Sequence, residues 1–259
     1  MEFHLSIGLA LLGAFAWMTT GAVIQHLKKD MGLVDFFWAA GIGLAAIFFF
    51  SNGSGNTERR LIAMTLAAFW SIRLSSHLFK NRIWNKKEDQ RYANLRTRWK
   101  NKAPLYFVFI FEAQALLIVF FAIPFSIVAS NSKPLAWLDI IAIIFGASCI
   151  WAEGVADQQL EKFKKSEGSQ GKTCRDGLWR YSRHPNYFFE WLYWFSYVLL
   201  AWNTENALWT LLAPCAMFVF LFRITGIPHT EKQALKSRGA DYKEYQKTTS
   251  VFIPWFPKK

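Results

Sequence analysis

Charge, acid and cysteine are all scarce in this 259-residue chain. Charged side chains make up 19% of it, and 30 Lys and Arg face only 18 Asp and Glu. An ordinary soluble domain carries about 25% charge, so what charge there is must be clustered. Three cysteines, Cys149, Cys174 and Cys215, show no motif spacing, which excludes a disulfide scaffold. The five histidines, His4, His26, His77, His184 and His229, make no i,i+4 pair with each other or with a carboxylate in a zinc pattern, and no metal is expected. No G-x-G-x-x-G follows a strand, so a Rossmann site is unsupported. Gly168-Ser169-Gln170-Gly171-Lys172-Thr173 looks like a phosphate loop but is two residues short and lacks a preceding strand; it reads as a loop tip. There is no internal repeat and no low-complexity tract.

What is abundant is apolar. Hydrophobic residues make up 53% and aromatics 18%, with 25 Phe and 13 Trp, far too many for a disordered chain. Mean hydropathy is +0.14 although the net charge is +12. Seven runs, Leu5–Ile24, Leu33–Phe50, Leu61–Phe79, Pro104–Val128, Leu135–Glu153, Tyr187–Trp202 and Ala207–Phe222, are each near the ~20 residues a helix needs to cross a bilayer. Pro124 is tolerable inside a membrane helix. The first run follows Met1-Glu2-Phe3-His4 without a basic lead and is too long for a cleaved signal. The expected fold is an all-α integral membrane protein of about seven transmembrane helices.

The basic residues set its orientation. Lys80–Ala103, Ala156–Asn186 and Arg223–Lys259 hold 24 of the 30 Lys and Arg. With seven spans they fall on one side, which the positive-inside rule makes cytoplasmic. The N-terminus is then outside and the C-terminus inside, in a membrane of the bacterial inner type. The three loops form a cytoplasmic cap with short amphipathic pieces at Asp89–Trp99 and Glu231–Lys247. The high pI is explained by topology, and no nucleic-acid partner is expected.

Ionisable residues inside spans are costly and mark function. Asp35, Arg73, His77, Glu112, Gln114, Glu153, Glu190 and Arg223 all sit toward the inner side, and Asp139 alone is near the outer side. They imply a polar cavity opening to the cytoplasm, where a soluble cofactor meets a lipophilic substrate. The plainer reading is structural pairing, such as Arg73 with Glu112, plus snorkelling at helix ends. A transporter competes, although broken helices and internal symmetry are not visible.

The densest stretch is Gly177-Leu178-Trp179-Arg180-Tyr181-Ser182-Arg183-His184-Pro185-Asn186-Tyr187-Phe188-Phe189-Glu190, where the chain re-enters the membrane. Pro185 suits a first helical turn. Arg183 and His184 then lie at a helix N-terminus that favours an anion, and Tyr187 and Glu190 share a face. Arg grips phosphate; Asn and Glu read amides or ribose hydroxyls. The alternative is an interfacial aromatic belt.

Ser182-Arg183-His184-Pro185-Asn186-Tyr187-(x)2-Glu190 resembles the signature of the steroid 5-alpha-reductase superfamily, nearest its bacterial members of unassigned substrate. Asp35-(x)2-Trp38, Arg73-Leu74-(x)2-His77-Leu78, Glu88-Asp89-(x)-Arg91-Tyr92, Ala156-Asp157-Gln158-(x)-Leu160, Gly226-Ile227-Pro228-(x)2-Glu231 and Tyr242-(x)2-Tyr245…Pro254 extend the likeness over most of the chain. The resemblance implies a single membrane domain over 1–259, with substrate-side helices in 1–128 and a cofactor-binding half in 135–259. It implies NADPH-dependent reduction of a C=C bond conjugated to a carbonyl in a steroid-like or isoprenoid lipid. Asp157, Arg183, His184, Asn186, Tyr187 and Glu190 would meet NADPH, and Lys164 and Arg175 its phosphates. The chain departs from the pattern at Phe189, where Gly usually precedes the final Glu. Val34-Asp35 stands for the Gln-Glu pair of the steroid enzymes, and Trp70 for their acidic Tyr. The proton donor then falls to Asp35 first, with Glu112 and Tyr92 as the other catalytic candidates and Tyr106 a further phenol.

Two other readings stand beside this one. Membrane methyltransferases of the isoprenylcysteine and phospholipid type, which use S-adenosylmethionine, share an Arg-His-Pro-(x)-Tyr element and a late Pro. They show adjacent acids in the last segment, where this chain has Glu231-Lys232, and lack the Asn186/Glu190 pair. A non-catalytic lipid-binding or transport protein on the same fold is the third. Oligomeric state is open.

Overall fold

A computed structural model describes residues 3–85, 88 and 90–258, with the backbone alone for Phe3, Gln90 and Arg91. Asp89, part of one motif above, lies outside the described residues. The chain is 79% helical and without a sheet among the described residues. Six of its helical stretches are long and apolar enough to cross a membrane: His4–Lys28, Leu33–Asn52, Thr57–Ile83, Tyr92–Ala129, Trp137–Lys165 and Ala207–Arg238. It is a multi-pass integral membrane protein.

The helices are α1 (Phe3–Lys28), α2 (Leu33–Asn52), α3 (Thr57–Leu78), α4 (Gln90–Trp99), α5 (Ala103–Ala129), α6 (Trp137–Lys165), α7 (Pro185–Tyr193), α8 (Phe195–Leu200), α9 (Leu212–Val219), α10 (Ile227–Arg238) and α11 (Ala240–Thr248). The expected sixth segment, Tyr187–Trp202, is built as two short helices in series, α7 and α8, parted at Trp194. Neither alone has the ~20 residues of a span. Trp194, Tyr193 and Tyr197 are fully buried there, and the two phenol oxygens share a 2.6 Å hydrogen bond. The last apolar run ends in a π-helical turn, Phe220–Ile224, and the charged helix α10 follows beyond it.

Two compact units divide the chain. The first comprises Met1–Asp139 and Leu200–Thr210, the second Ile140–Leu199 and Leu211–Lys259. In the first unit α1, α2, α3 and α5 pack on one another. Small residues let them approach: a Cβ on Gly21 would come within 2.7 Å of Phe37 and 2.8 Å of Phe111, and one on Gly43 would collide with Ser71. Ser71 Oγ is fixed there by donating to Ala39 O at 2.9 Å. Asn56 caps α3 by accepting from Arg59 N at 2.9 Å.

One end of the first unit is stapled by an ion pair. Arg59, 2% exposed, donates from Nε and Nη2 to the two Asp139 oxygens at 2.7 and 2.8 Å. Its remaining hydrogens reach the carbonyls of Lys133 at 2.7 Å and Pro134 at 3.0 Å. Asp139 also accepts from Ala136 N at 2.7 Å, which caps the start of α6. A buried charge needs a partner and satisfied hydrogen bonds, and Arg59 has both.

Candidate functional site

The site is built on the second unit, where a helical turn, Gly177–Arg180, leads into α7. Gly177 adopts φ +59°, a left-handed conformation that favours glycine, and a Cβ there would strike the Gln159 amide. Gln159 Oε1 accepts from Leu178 N at 2.9 Å, and Trp179 Nε1 donates to Ala156 O at 2.8 Å. Both bonds pin the turn to α6. From α11, the Tyr245 hydroxyl donates to the carbonyls of Trp179 and Ser182. Pro185 then opens α7, where its missing N–H costs nothing.

Arg183 has been drawn into this framework. Its Nε donates to Glu231 Oε1 at 2.6 Å, and its Nη1 to the carbonyls of Gln246 at 3.0 Å and Thr249 at 2.8 Å. Glu231 also accepts from the Tyr242 hydroxyl at 3.3 Å and from Gln246 Nε2 at 2.9 Å, and His184 Nε2 lies 3.4 Å from it. Glu231 lies nine residues past Phe222, outside the apolar run. Burial depresses the His184 imidazole below its ordinary value against the opposing pull of Glu231. His184 is therefore neutral at pH 7, and Arg183 is the counter-ion that Glu231 needs.

Past this node, the structure brings Asp157, His184, Asn186 and Tyr187 together where α6 meets the start of α7. Asn186 Nδ2 donates to Asp157 Oδ1 at 3.1 Å, and Asp157 is 6% exposed. The His184 and Tyr187 rings stack, 5.4 Å apart and 5° from parallel, and the Tyr187 hydroxyl meets Thr230 Oγ1 at 3.3 Å. Glu190, half-buried, is one turn further along α7. The two basic candidates hold carboxylates: Arg175 donates to Asp241 Oδ1 at 3.1 Å and lies over the Tyr245 ring, and Lys164 donates to Glu161 at 2.8 Å.

The three catalytic candidates belong to the first unit. Asp35 accepts from Arg82 at 3.0 Å near the start of α2, and Glu112 Oε1 on α5 accepts from Thr19 at 2.8 Å. Tyr92 is half-buried on α4. Trp70 is fully buried, edge-on to Trp38 at 6.2 Å. The residue that sequence reasoning undervalued is Glu231. The signal was an acid five residues after Gly226, on a basic amphipathic helix close to Tyr242-(x)2-Tyr245.

Comparison with known proteins covers most of the chain. An uncharacterised protein of the fission yeast Schizosaccharomyces pombe, C594.04c, is 27% identical over 287 aligned positions, covering 98% of this chain and 82% of the yeast protein. No solved structure matches it. The family of proteins of unknown function DUF1295 matches residues 22–249, which span α2 to α11 and both units, and the chain therefore belongs to this steroid 5-alpha-reductase-like family.

Proposed function

We propose that the chain is an NADPH-dependent reductase of a C=C bond conjugated to a carbonyl, acting on a steroid-like or isoprenoid lipid. We place it in a cytoplasmic-type membrane, the inner membrane of a bacterium. The observation that carries this reading is the Asn186–Asp157 hydrogen bond at 3.1 Å beside the His184–Tyr187 stack. It sets an amide, a carboxylate and a flat aromatic wall at the start of α7.

The donor set suits a dinucleotide. Asp157 and Glu190 accept hydrogen bonds from ribose hydroxyls or a carboxamide, and Asn186 both donates and accepts. Lys164 and Arg175, 57% and 42% exposed, hold Glu161 and Asp241 only as surface pairs. Such pairs are worth about 0–1 kcal/mol, so phosphate oxygens can replace the carboxylates. Arg183, tied to Glu231 and two carbonyls, acts here by holding the turn that presents His184, Asn186 and Tyr187. The backbone it fixes stays in register as the ligand arrives.

Bound there, NADPH would supply the hydride for the β-carbon of the substrate. The α-carbon takes a proton, for which Asp35, Glu112 and Tyr92 are the proposed donors.

The reading is tested at Asn186. Asn186→Ala removes the amide that would bond the dinucleotide; one lost hydrogen bond is worth about 0.5–1.5 kcal/mol, so NADPH affinity should fall about two- to tenfold. Isothermal titration of the folded, detergent-purified variant measures it. Unchanged affinity contradicts the assignment.

A further inference from the structure

Residues 249–258 form a non-helical strap that loops back to the end of α11 and is tied down along its length. Arg183 N donates to Ser250 O at 2.8 Å, and Ser182 Oγ to Phe252 O at 2.7 Å. Trp255 N donates to Tyr181 O at 2.9 Å, and Lys258 N to Thr248 O at 2.8 Å. Phe252, 3% exposed, is the inward side of the strap. Its ring lies 5.0 Å from Phe222, 5.4 Å from Phe188 and 5.6 Å from Trp191. Phe222 closes the last apolar run, and Phe188 and Trp191 belong to the first turns of α7. The strap is thus fastened at the level where two apolar segments end.

Its outward side is apolar too. Ile253, Trp255 and Phe256 are 60%, 70% and 76% exposed. They flank Pro254 and precede Pro257, on a backbone whose ends are hydrogen-bonded, so they cannot fold away. They lie outside the membrane spans, where a strap facing water gains nothing from three large apolar side chains. Lys258 and Arg180 are exposed beside them.

We propose that this strap is an interfacial anchor, with Ile253, Trp255 and Phe256 seated in the headgroup–acyl boundary of the bilayer that the chain's own helices cross. Three observations choose this occupant over a protein partner. The patch continues, through Phe252, an aromatic cluster already at the membrane end of α7 and the last apolar run. Tryptophan and other amphipathic aromatics favour the membrane–water boundary. Flanking basic side chains match anionic lipid headgroups. The anchor has a consequence that rests on the reductase reading: it holds Ser182 and Arg183, and with them the turn that presents Asn186, so lipid contact orders the cofactor site.

The anchor is tested without any cofactor. Cys149 and Cys174 are buried and Cys215 is exposed, so a C215S background leaves an introduced cysteine as the reactive one. Trp255→Cys and, separately, Phe256→Cys are spin-labelled and reconstituted in vesicles of phosphatidylcholine and phosphatidylglycerol, with Lys243→Cys on α11 as the aqueous reference. The anchor predicts that labels at both strap positions relax several-fold more with oxygen, relative to a water-soluble nickel chelate, than the label at position 243. Equal chelate access at all three positions overturns it. A strap label shielded from both reagents also overturns it, since that points to a protein partner. The coupling is read separately, as a several-fold loss of NADPH affinity in vesicles for I253S/W255S/F256S. Absence of NADPH binding by the unaltered chain ends the reductase reading and leaves the spin-label result standing.

Discussion

At the scale of single residues, two charged groups carry more of the structure than their surroundings suggest. Arg59 is nearly inaccessible, and its guanidinium is met by Asp139 and loop carbonyls. Removing one partner of a buried pair strands the other, at about 3–5 kcal/mol. Arg59→Ala should therefore lower the melting temperature in detergent strongly, and Arg59→Lys, which cannot make the two-pronged contact, should recover only part. A melting temperature within a degree of the parent's shows the pair to be dispensable. Neither partner announces the other in the sequence, because 80 positions separate them and only the packing brings them together. Asp139 stood alone near the outer side in the sequence, with no partner visible.

His184 gives the second residue-scale prediction. Its folded-state value lies below the ordinary imidazole value because it is buried. As pH falls below about 6.5, the unfolded chain takes up a proton that the folded chain resists, so stability is full above that pH and declines beneath it. The melting temperature should thus drop between pH 7 and 5, and His184→Gln should flatten that slope. Parallel slopes for the two proteins contradict a neutral buried His184.

At the scale of elements, the helices were legible where composition alone decides. Long apolar runs gave α1, α2, α3 and α5 within a few residues, since an apolar backbone in lipid must satisfy its own hydrogen bonds and a helix does so. The break at Trp194 was not legible. Tyr187–Trp202 is richer in Tyr and Trp than its neighbours and carries Glu190, but nothing in it marks Trp194 as the break, which lies where Tyr193 and Tyr197 bond to each other inside the unit. Helix contacts through glycine were equally hidden, since Gly43 matters only because Ser71 faces it. Gly43→Val should overpack the α2–α3 contact and cost about 1–3 kcal/mol, read as a lower melting temperature. Gly8→Val, where a Cβ meets nothing within 4 Å, should leave it unchanged. Equal effects at the two positions contradict the packing described for the first unit.

At the scale of the whole molecule, the motif is more legible in the sequence than the contacts its residues make. The polar density from Gly177 to Glu190 marks a stretch that the fold sets against α6, where Asp157 and Asn186 meet. The role of Arg183 was not readable from the motif. A phosphate grip and a structural tie use the same residue, and only the position of Glu231 on α10 distinguishes them. The Trp70 position is likewise clear only in the fold, where the indole is packed against Trp38 instead of being presented to a substrate. A reductase of the proposed kind must hold a nicotinamide dinucleotide on the second unit. The most direct measurement is a parallel titration of the detergent-purified protein with NADPH, NADH and S-adenosylmethionine. Saturable NADPH binding, weakened in Glu190→Ala, is the result expected here. Tight binding of S-adenosylmethionine with no response to NADPH would contradict it and move the chemistry to methyl transfer.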